Sequence, residues 1–468
     1  MSSLNYLEQI VMVGILIYAI SATGIYLAIN LIALDTLREH LKRRPTREDQ
    51  AHFSGMEPPI SVIVPAYNEG TTIVASLQSI MKLDYPGMEV VVVNDGSKDD
   101  TLEVLLREFD FEQFPEAKRL SISCKPIRAV YLSRRLDNLR LIDKENGGKA
   151  DAINAGINLS RSPLFCCIDA DSLLEPEALA KVVQPFVLNR DIMATGGTVR
   201  VANGSTVTRG HVTRQRPPRN LLALFQFVEY IRGFLFGRLG WSRIKGLLIV
   251  SGAFGVFHKE KVIETGGYAT GTIGEDMELI LRMYKTMIKK GRSHDVEFVP
   301  DAVCWTEAPE TLKVFSSQRK RWHRGLSESL ENNTDLLFGK NTGTIGWLAY
   351  PFFTLIEWLS PFVELIGYLF TAYLLLMQKV TLLDASLLLC FAVLLSVFIS
   401  VLGLFLDQLL FPGSMRARDV LILTLTTVAE CFGYRQLNMV YKIQGAYGWM
   451  TKAGSSWGEM TRVGFGQK

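Results

Sequence analysis

Paired cysteines are missing from this sequence. The six cysteines, Cys124, Cys166, Cys167, Cys304, Cys390 and Cys431, form no C-x-x-C pair, and no histidine stands at zinc-finger spacing. That argues against a zinc module or a disulfide framework and reads as buried thiols in a reducing compartment. Excess charge is missing too: a net charge of +3 over 468 residues gives no case for nucleic acid as the main partner. No cationic side chain precedes the first apolar run, where Glu8 is the only charged one, so that run lacks the basic start of a cleaved signal peptide. No phosphate-switch domain is evident after the last apolar segment, and control by a nucleotide second messenger is not expected within the chain.

Long apolar runs are abundant. Residues 10–34 are interrupted only by Ser21, Thr23 and Asn30, enough at ~1.5 Å per residue to cross a ~30 Å hydrocarbon core. Arg38, Lys42, Arg43 and Arg44 follow, which places the next domain in the cytoplasm by the positive-inside rule. Residues 345–377 form a second run; Pro351, Pro361, Glu357 and Glu364 predict a kink and one side facing protein or water. Residues 380–406 form a third, after a turn marked by Lys379 and Asp384. A fourth at 420–443 is broken by Glu430 and Arg435 and suits a re-entrant or interfacial helix. Four crossings would leave the tail 444–468 outside, whereas its Lys452, Arg462 and Lys468 favour the inside.

Between Pro58 and Glu310 short apolar runs alternate with helical patterns, the signature of an α/β domain with a mainly parallel sheet. Strands are expected at 60–64, 89–93, 129–132 and 164–168, and helices at 71–83 and 149–159. Three of the strands lead into acidic or amide loops, and open α/β sheets bind ligands beyond the carboxyl ends of their strands. Residues 221–248 are apolar but carry Glu229, Arg232, Arg238, Arg243 and Lys245; together with Trp241 they suggest an amphipathic element on the membrane surface.

Asp169-Ala170-Asp171 sets two carboxylates on one side of an extended strand end. Hard oxygen ligands so placed suit Mg²⁺ or Mn²⁺ with diphosphate oxygens completing the shell. Lys149 follows Asn146-Gly147-Gly148, a loop that lets backbone approach a ligand, and reads either as a phosphate partner or as an exposed turn lysine. Glu275-Asp276 opens a helix at 277–288; acidic residues there cap helices, yet a tuned carboxylate can also take a proton from an attacking hydroxyl. Gln318-Arg319-Lys320-Arg321-Trp322 lies on a helical segment ahead of the second apolar run. Gln318, Arg321 and Trp322 share a face there, which suits an anionic phosphate beside a sugar ring.

The order Pro65-Ala66-Tyr67-Asn68-Glu69, Asn94-Asp95-Gly96-Ser97, Gly148-Lys149-Ala150, Asp169-Ala170-Asp171, Glu275-Asp276 and Gln318-Arg319-Lys320-Arg321-Trp322 resembles the membrane-bound inverting glycosyltransferases of family 2, the group of cellulose, hyaluronan, chitin and poly-N-acetylglucosamine synthases. The resemblance covers nearly the whole chain. It implies a GT-A-like nucleotide-sugar domain at 58–310, an N-terminal membrane helix and linker at 1–57, an interfacial helix at 311–340, membrane helices at 341–443 and a tail at 444–468. It further implies that Ala66, Tyr67, Glu69 and Asp95 hold a uridine, that Lys149 and Asp169 lie by the diphosphate and sugar, and that Asp171 with Asp169 holds the Mg or Mn ion. Asp276 would be the base, with Glu275 beside it. Gln318, Arg321 and Trp322 would clamp the diphosphate and roof the acceptor. Thr195-Gly196-Gly197 and Ser251-Gly252-Ala253-Phe254 are similar to acceptor-side loops. Trp457, Gly458, Thr461 and Arg462 resemble a gating segment, although Glu459 and Met460 interrupt it. The implied protein is a multi-pass enzyme of the cell (inner) membrane with its catalytic domain in the cytoplasm and membrane lipids around it. It would use a UDP-sugar to extend an exported polysaccharide or, alternatively, to add one or two sugars to a lipid such as diacylglycerol.

Overall fold

The computed structural model describes residues 5–42, 55–115, 120–208 and 211–452; Arg43, Arg44 and the gating residues Trp457, Gly458, Thr461 and Arg462 lie outside them. A long helix, α1 (Tyr6–Lys42), leads to the α/β domain. There β1 (Ile60–Ala66), α2 (Ile73–Ile80), β2 (Met88–Asn94) and α3 (Thr101–Glu108) begin a doubly wound pattern. Val62, Ile63, Val64 and the run Val90 to Val93 are fully buried. Branched side chains packed on both faces of a central strand stabilise it by roughly 1.5–3 kcal/mol each. Next come β3 (Phe111–Gln113), β4 (Ile127–Ser133), β5 (Leu139–Lys144), α4 (Lys149–Leu159), β6 (Leu164–Ile168), β7 (Leu173–Leu174), α5 (Ala178–Leu188) and β8 (Ile192–Val201). A hairpin, β9 (Thr206–Thr208) and β10 (His211–Arg214), stands apart from the main sheet.

The main sheet has ten strands in the order β3-β4-β5-β2-β1-β6-β11-β8-β12-β7, where β11 is Phe254–His258 and β12 is Asp295–Thr306. Its centre, β5-β2-β1-β6, is parallel. The sheet as a whole is mixed, because β11 runs antiparallel to both β6 and β8 and β4 antiparallel to β5. The parallel centre leaves the ends of β1, β2, β5 and β6 side by side, which is where the acidic loops gather.

Residues 221–243 form a joint between the α/β domain and the apolar helices. The helix α6 (Leu221–Arg232) continues through a π-helical stretch, Gly233–Arg238, into α7 (Leu239–Arg243). Three of the cations meet protein carboxylates, Arg232 with Glu430 at 2.6 Å, Arg243 with Glu39 at 3.3 Å, and Lys245 beyond it with Asp295 at 2.9 Å, while Arg238 stacks on Phe234 at 3.8 Å. Trp241 is buried against Phe352, ring centroids 4.9 Å apart.

The remaining α-helices of more than three residues are α8 (Lys259–Thr265), α9 (Glu275–Lys289), α10 (Leu312–Glu331), α11 (Ser360–Leu376), α12 (Leu382–Leu410), α13 (Ala417–Ala429) and α14 (Tyr434–Met450). Among the described residues α1 and α12 are long and apolar enough to cross a membrane; Ile345–Trp358 with α11, bent by 41°, makes a third if taken as one span. The fourth apolar run breaks at Glu430–Gly433 into α13 and α14, neither of which passes that test. The polar residues within the apolar segments pair with one another. Glu430 is fully buried and also meets Arg435 at 2.5 Å, Glu357 accepts from Tyr26 at 2.7 Å, and Glu364 accepts from Tyr368 at 3.0 Å.

Candidate active site

Lys149, the first residue of α4, is aimed across the strand ends. Its Nζ lies 2.5 Å from Asp169 Oδ1, 3.8 Å from Glu275 Oε1 and 3.5 Å from the carbonyl of Gly252. Burial alone pulls this ammonium down, but the carboxylates of Asp169, Glu275 and Asp276 outweigh it and hold its pKa well above the ordinary value. Glu275 is buried, and desolvation lifts its carboxyl to about 7, with Lys149 opposing and Asp276 adding to the rise. Asp276 is positioned from both sides: Oδ2 accepts from the Gly252 amide at 3.2 Å and Oδ1 from the Met277 amide at 2.8 Å. Five predicted site residues, Lys149, Asp169, Gly252, Glu275 and Asp276, therefore meet at one place, although more than a hundred positions separate Lys149 from Asp276 in sequence.

Other predicted residues lie elsewhere. Ala66 ends β1, where its carbonyl accepts from the Asp95 amide at 2.9 Å, and Tyr67 beside it is exposed. Glu69 accepts from the Thr72 hydroxyl at 2.6 Å, and its carbonyl from the Thr72 and Ile73 amides at the start of α2. Asp95 is buried; Oδ1 meets Lys144 Nζ at 2.5 Å and the Gly147 amide at 3.0 Å, while Oδ2 accepts from the Gly148 amide at 2.7 Å. It thus folds the loop that presents Lys149. Gly148 takes φ +87°, which favours glycine, just before Lys149.

Thr195, Gly196 and Gly197 are strand residues within β8, not a loop. Thr195 Oγ1 donates to the Val182 carbonyl at 2.7 Å, and a Cβ on Gly197 would meet the Ala302 carbonyl and the Phe254 ring at 2.4 Å. Phe254 is core. Only the Ser251-Gly252-Ala253 part of that second motif forms a loop, and Gly252 brings it to Asp276.

On α10, Trp322 keeps 45% of its surface exposed, and Gln318 Oε1 is buried with no hydrogen-bond partner among the described residues. Arg319 is anchored: it pairs with Glu229 at 2.6 Å and stacks on the Trp322 ring at 4.6 Å. The Trp322 ring stands 6.4 Å from that of Tyr230, which lies 5.9 Å from Phe234, over which Arg238 stacks at 3.8 Å. Arg238 feels the Asp276 carboxylate, yet burial pulls its pKa down to about 10. Sequence reasoning assigned no site role to Lys144, Arg319 or Arg238. The signal for Arg238 was a cation inside an apolar run; for Lys144 there was none, since its strand was not recognised.

A close backbone approach joins the two halves of the site. A Cβ on Gly274 would lie 2.8 Å from the Gly325 carbonyl oxygen, and one on Gly325 2.8 Å from Gly274 Cα. The Ile273 amide donates to Glu328 at 2.9 Å and Ser329 Oγ to the Gly274 carbonyl at 3.3 Å. The start of α9, with Glu275 and Asp276, is thereby held against α10, three residues from Trp322.

The sequence matches the family described as Glycosyl transferase family 2 over residues 61–239, and that described as Glycosyl transferase family group 2 over residues 164–406, more than half of the chain. The chain belongs to the family 2 glycosyltransferases. This glycosyltransferase is 26% identical over 272 residues to the poly-β-1,6-N-acetyl-D-glucosamine synthase of Staphylococcus epidermidis, covering 58% of this chain and 55% of that protein. It is 27% identical over 274 residues to the Staphylococcus aureus (strain COL) synthase of the same name, covering 58% and 55%. The chain spans about half the length of the curated relatives it matches. Among solved structures, the mannosyltransferase PcManGT from Pyrobaculum calidifontis, in complex with GDP-Man and Mn²⁺, aligns with TM-score 0.56 and 20% identity over 94% of this chain and all of that one. That likeness concerns the fold.

Proposed function

We propose that this glycosyltransferase uses a UDP-sugar to extend a β-linked polysaccharide at the cytoplasmic face of the cell membrane, with inversion at the anomeric carbon. The observation that carries the reading is Asp276, pinned by the Gly252 amide beside the Lys149–Asp169 pair. The acceptor hydroxyl oxygen attacks the anomeric carbon as the bond from that carbon to the diphosphate breaks; its proton passes to Asp276, and the diphosphate leaves with the bonding pair. Stabilising that leaving charge is the main electrostatic task. Lys149 and Arg321 are the cations assigned to it, with Trp322 over the acceptor.

The residues present fit a divalent cation of the Mg²⁺ or Mn²⁺ class. Asp169 and Asp171 offer hard oxygens at one strand end, and no group of three or more His, Cys, Asp or Glu among the described residues makes a protein-only cage, so diphosphate oxygens would complete the shell. Such an ion, when bound, supplies positive charge to the diphosphate.

Purified protein given a panel of UDP-sugars, with products read by mass spectrometry, tests the reading. Polymer supports it; single-sugar products with every acceptor overturn it. Trp322→Ala is expected to abolish transfer while UDP binding persists. A lipid acceptor is the second reading. It is favoured by the small number of apolar spans among the described residues, two helices or three with the bent pair, because a polymer channel needs walls. It predicts radiolabelled sugar in an organic-soluble product.

A further inference from the structure

We propose that a cavity between the sheet and the loop joining α12 to α13 is a binding site for a phosphate group, and that an anionic phospholipid headgroup supplies it. The cavity measures about 410 Å³, at the lower end of the ~300–1,000 Å³ typical of small-molecule sites. It is lined by Arg200, Arg214, Gln215, Trp305, Ser414 and Arg416. Strand alternation separates it from the catalytic centre. Trp305 pairs with Arg200 across β12 and β8, and both project from the face opposite Cys304, whose Sγ meets the Ala253 carbonyl at 3.8 Å.

The unsatisfied atoms here are donors. Arg200 and Gln215 are 4% and 7% exposed, yet Arg200 Nε and Gln215 Nε2 have no hydrogen-bond partner among the described residues; Ser414 Oγ is also buried without one among them. Buried donors without acceptors are costly, and phosphate oxygens, which only accept, would satisfy all three. Other groups of the lining already have partners. Asp407 takes the Arg200 guanidinium at 3.0 Å and 3.1 Å, Gln215 Oε1 accepts from it at 2.7 Å, and Phe411 and Trp305 flank it. Asp419 accepts from the Arg416 amide at 3.2 Å, capping α13. Glu175 is the opposing charge, and burial shifts it toward its neutral form. Arg214 and Arg416 remain as forks of the kind that grip phosphate.

Position selects the source. The loop follows directly on the end of α12, an apolar helix long enough to span, and exposed Arg216, Arg219 and Arg418 stand in the same two segments. Basic pockets beside the cytoplasmic ends of membrane helices are suited to anionic headgroups. This inference does not depend on which sugar is transferred.

The test uses the full chain in nanodiscs of phosphatidylcholine with a minor fraction of phosphatidylglycerol, with retained lipid measured by native mass spectrometry. Wild type should retain phosphatidylglycerol over phosphatidylcholine. Arg416→Gln should lower that preference about fivefold, the factor expected per cation near an anionic surface. Gln215→Glu, which keeps the oxygen that accepts from Arg200 and replaces the orphan donor by an acceptor, should lower it too. Melting temperatures of both variants separate lost binding from misfolding. In a second arm, sn-glycerol 3-phosphate is added to lipid-depleted protein in detergent. A thermal shift there without lipid preference in nanodiscs supports the phosphate site but overturns the lipid source. No preference and no shift overturn the proposal, as does equal retention by wild type and folded variants.

Discussion

Glu275 and Asp276 are neighbours in sequence with different tasks. Asp276, the proposed base, is fixed by two amides and faces the loop that carries Gly252. Replacing it by Asn keeps the side chain's shape and one of the two hydrogen bonds, since the amide nitrogen cannot accept, and removes the proton acceptor, so transfer should fall by about 10²–10⁴ while nucleotide binding, read by calorimetry, stays near wild type. Glu275 answers to pH. Its carboxyl is lifted by burial to about 7, with Lys149 lowering and Asp276 raising it. It is neutral below that pH and gains a negative charge above it, 3.8 Å from the lysine assigned to the diphosphate. Donor KM should therefore rise as pH passes through about 7, and Glu275→Gln should remove that step. The sign for stability follows from the same protonation. The folded chain keeps a proton that the unfolded chain loses above its ordinary 4.5, so this group's contribution falls as pH rises from there to about 7 and then levels off. At this scale the sequence was informative where a motif had fixed spacing, as in Glu275-Asp276 and Asp169-Ala170-Asp171. It was silent on Lys144, whose partners Asp95 and Asp151 come from β2's end and α4.

Helix α10 shows how one motif divides its labour. Arg319 is 2% exposed and bound to Glu229; Arg321, two residues on, is only half-buried. Arg319→Ala should cost about 3 kcal/mol or more, since it leaves a largely buried carboxylate unpaired, seen as a lower melting temperature in detergent. Arg321→Ala should lower activity. The Gly274–Gly325 contact sets the spacing between α9 and α10. With backbone atoms under 3 Å from an added Cβ on either side, Gly325→Ala must push the helices apart. It should lower kcat about tenfold to a hundredfold, because misplacement of ~1 Å is enough for such losses, with donor KM little changed. The strands legible in sequence were those with short apolar runs, β1, β2, β6 and, over 129–132, β4. The strand β5 escaped notice because Arg140 and Lys144 read as surface, whereas both are buried, Arg140 donating to the Leu159 carbonyl at 2.6 Å. The glycines of β8 read as a loop because strand propensity alone cannot see the close pass of Ala302 and Phe254.

At the scale of the molecule, the catalytic domain and the apolar helices are tied at several buried points: Arg200 to Asp407, Arg232 to Glu430, Arg319 to Glu229 and, through its hydroxyl, Tyr434. Composition announced the apolar runs and the α/β core, but these ties join residues far apart in sequence and leave no local pattern. If α1, the bent pair and α12 each cross once, the turn after α11 and the loop after α12 lie on opposite sides. Gln378→Cys and Pro412→Cys, each with Cys390 replaced by Ser, should then be labelled by an impermeant maleimide from opposite faces of a sealed vesicle. Labelling from one face would break that topology.

The Gly274–Gly325 contact has a mechanical meaning beyond spacing. At that point no side chain separates the helix bearing Trp322 from the turn bearing Asp276, so backbone meets backbone. Because α10 also packs along α14, a displacement of that helix would be carried to the turn that holds Asp276. Turnover should therefore register acyl-chain length, and a bulkier residue at 325 should uncouple the reading.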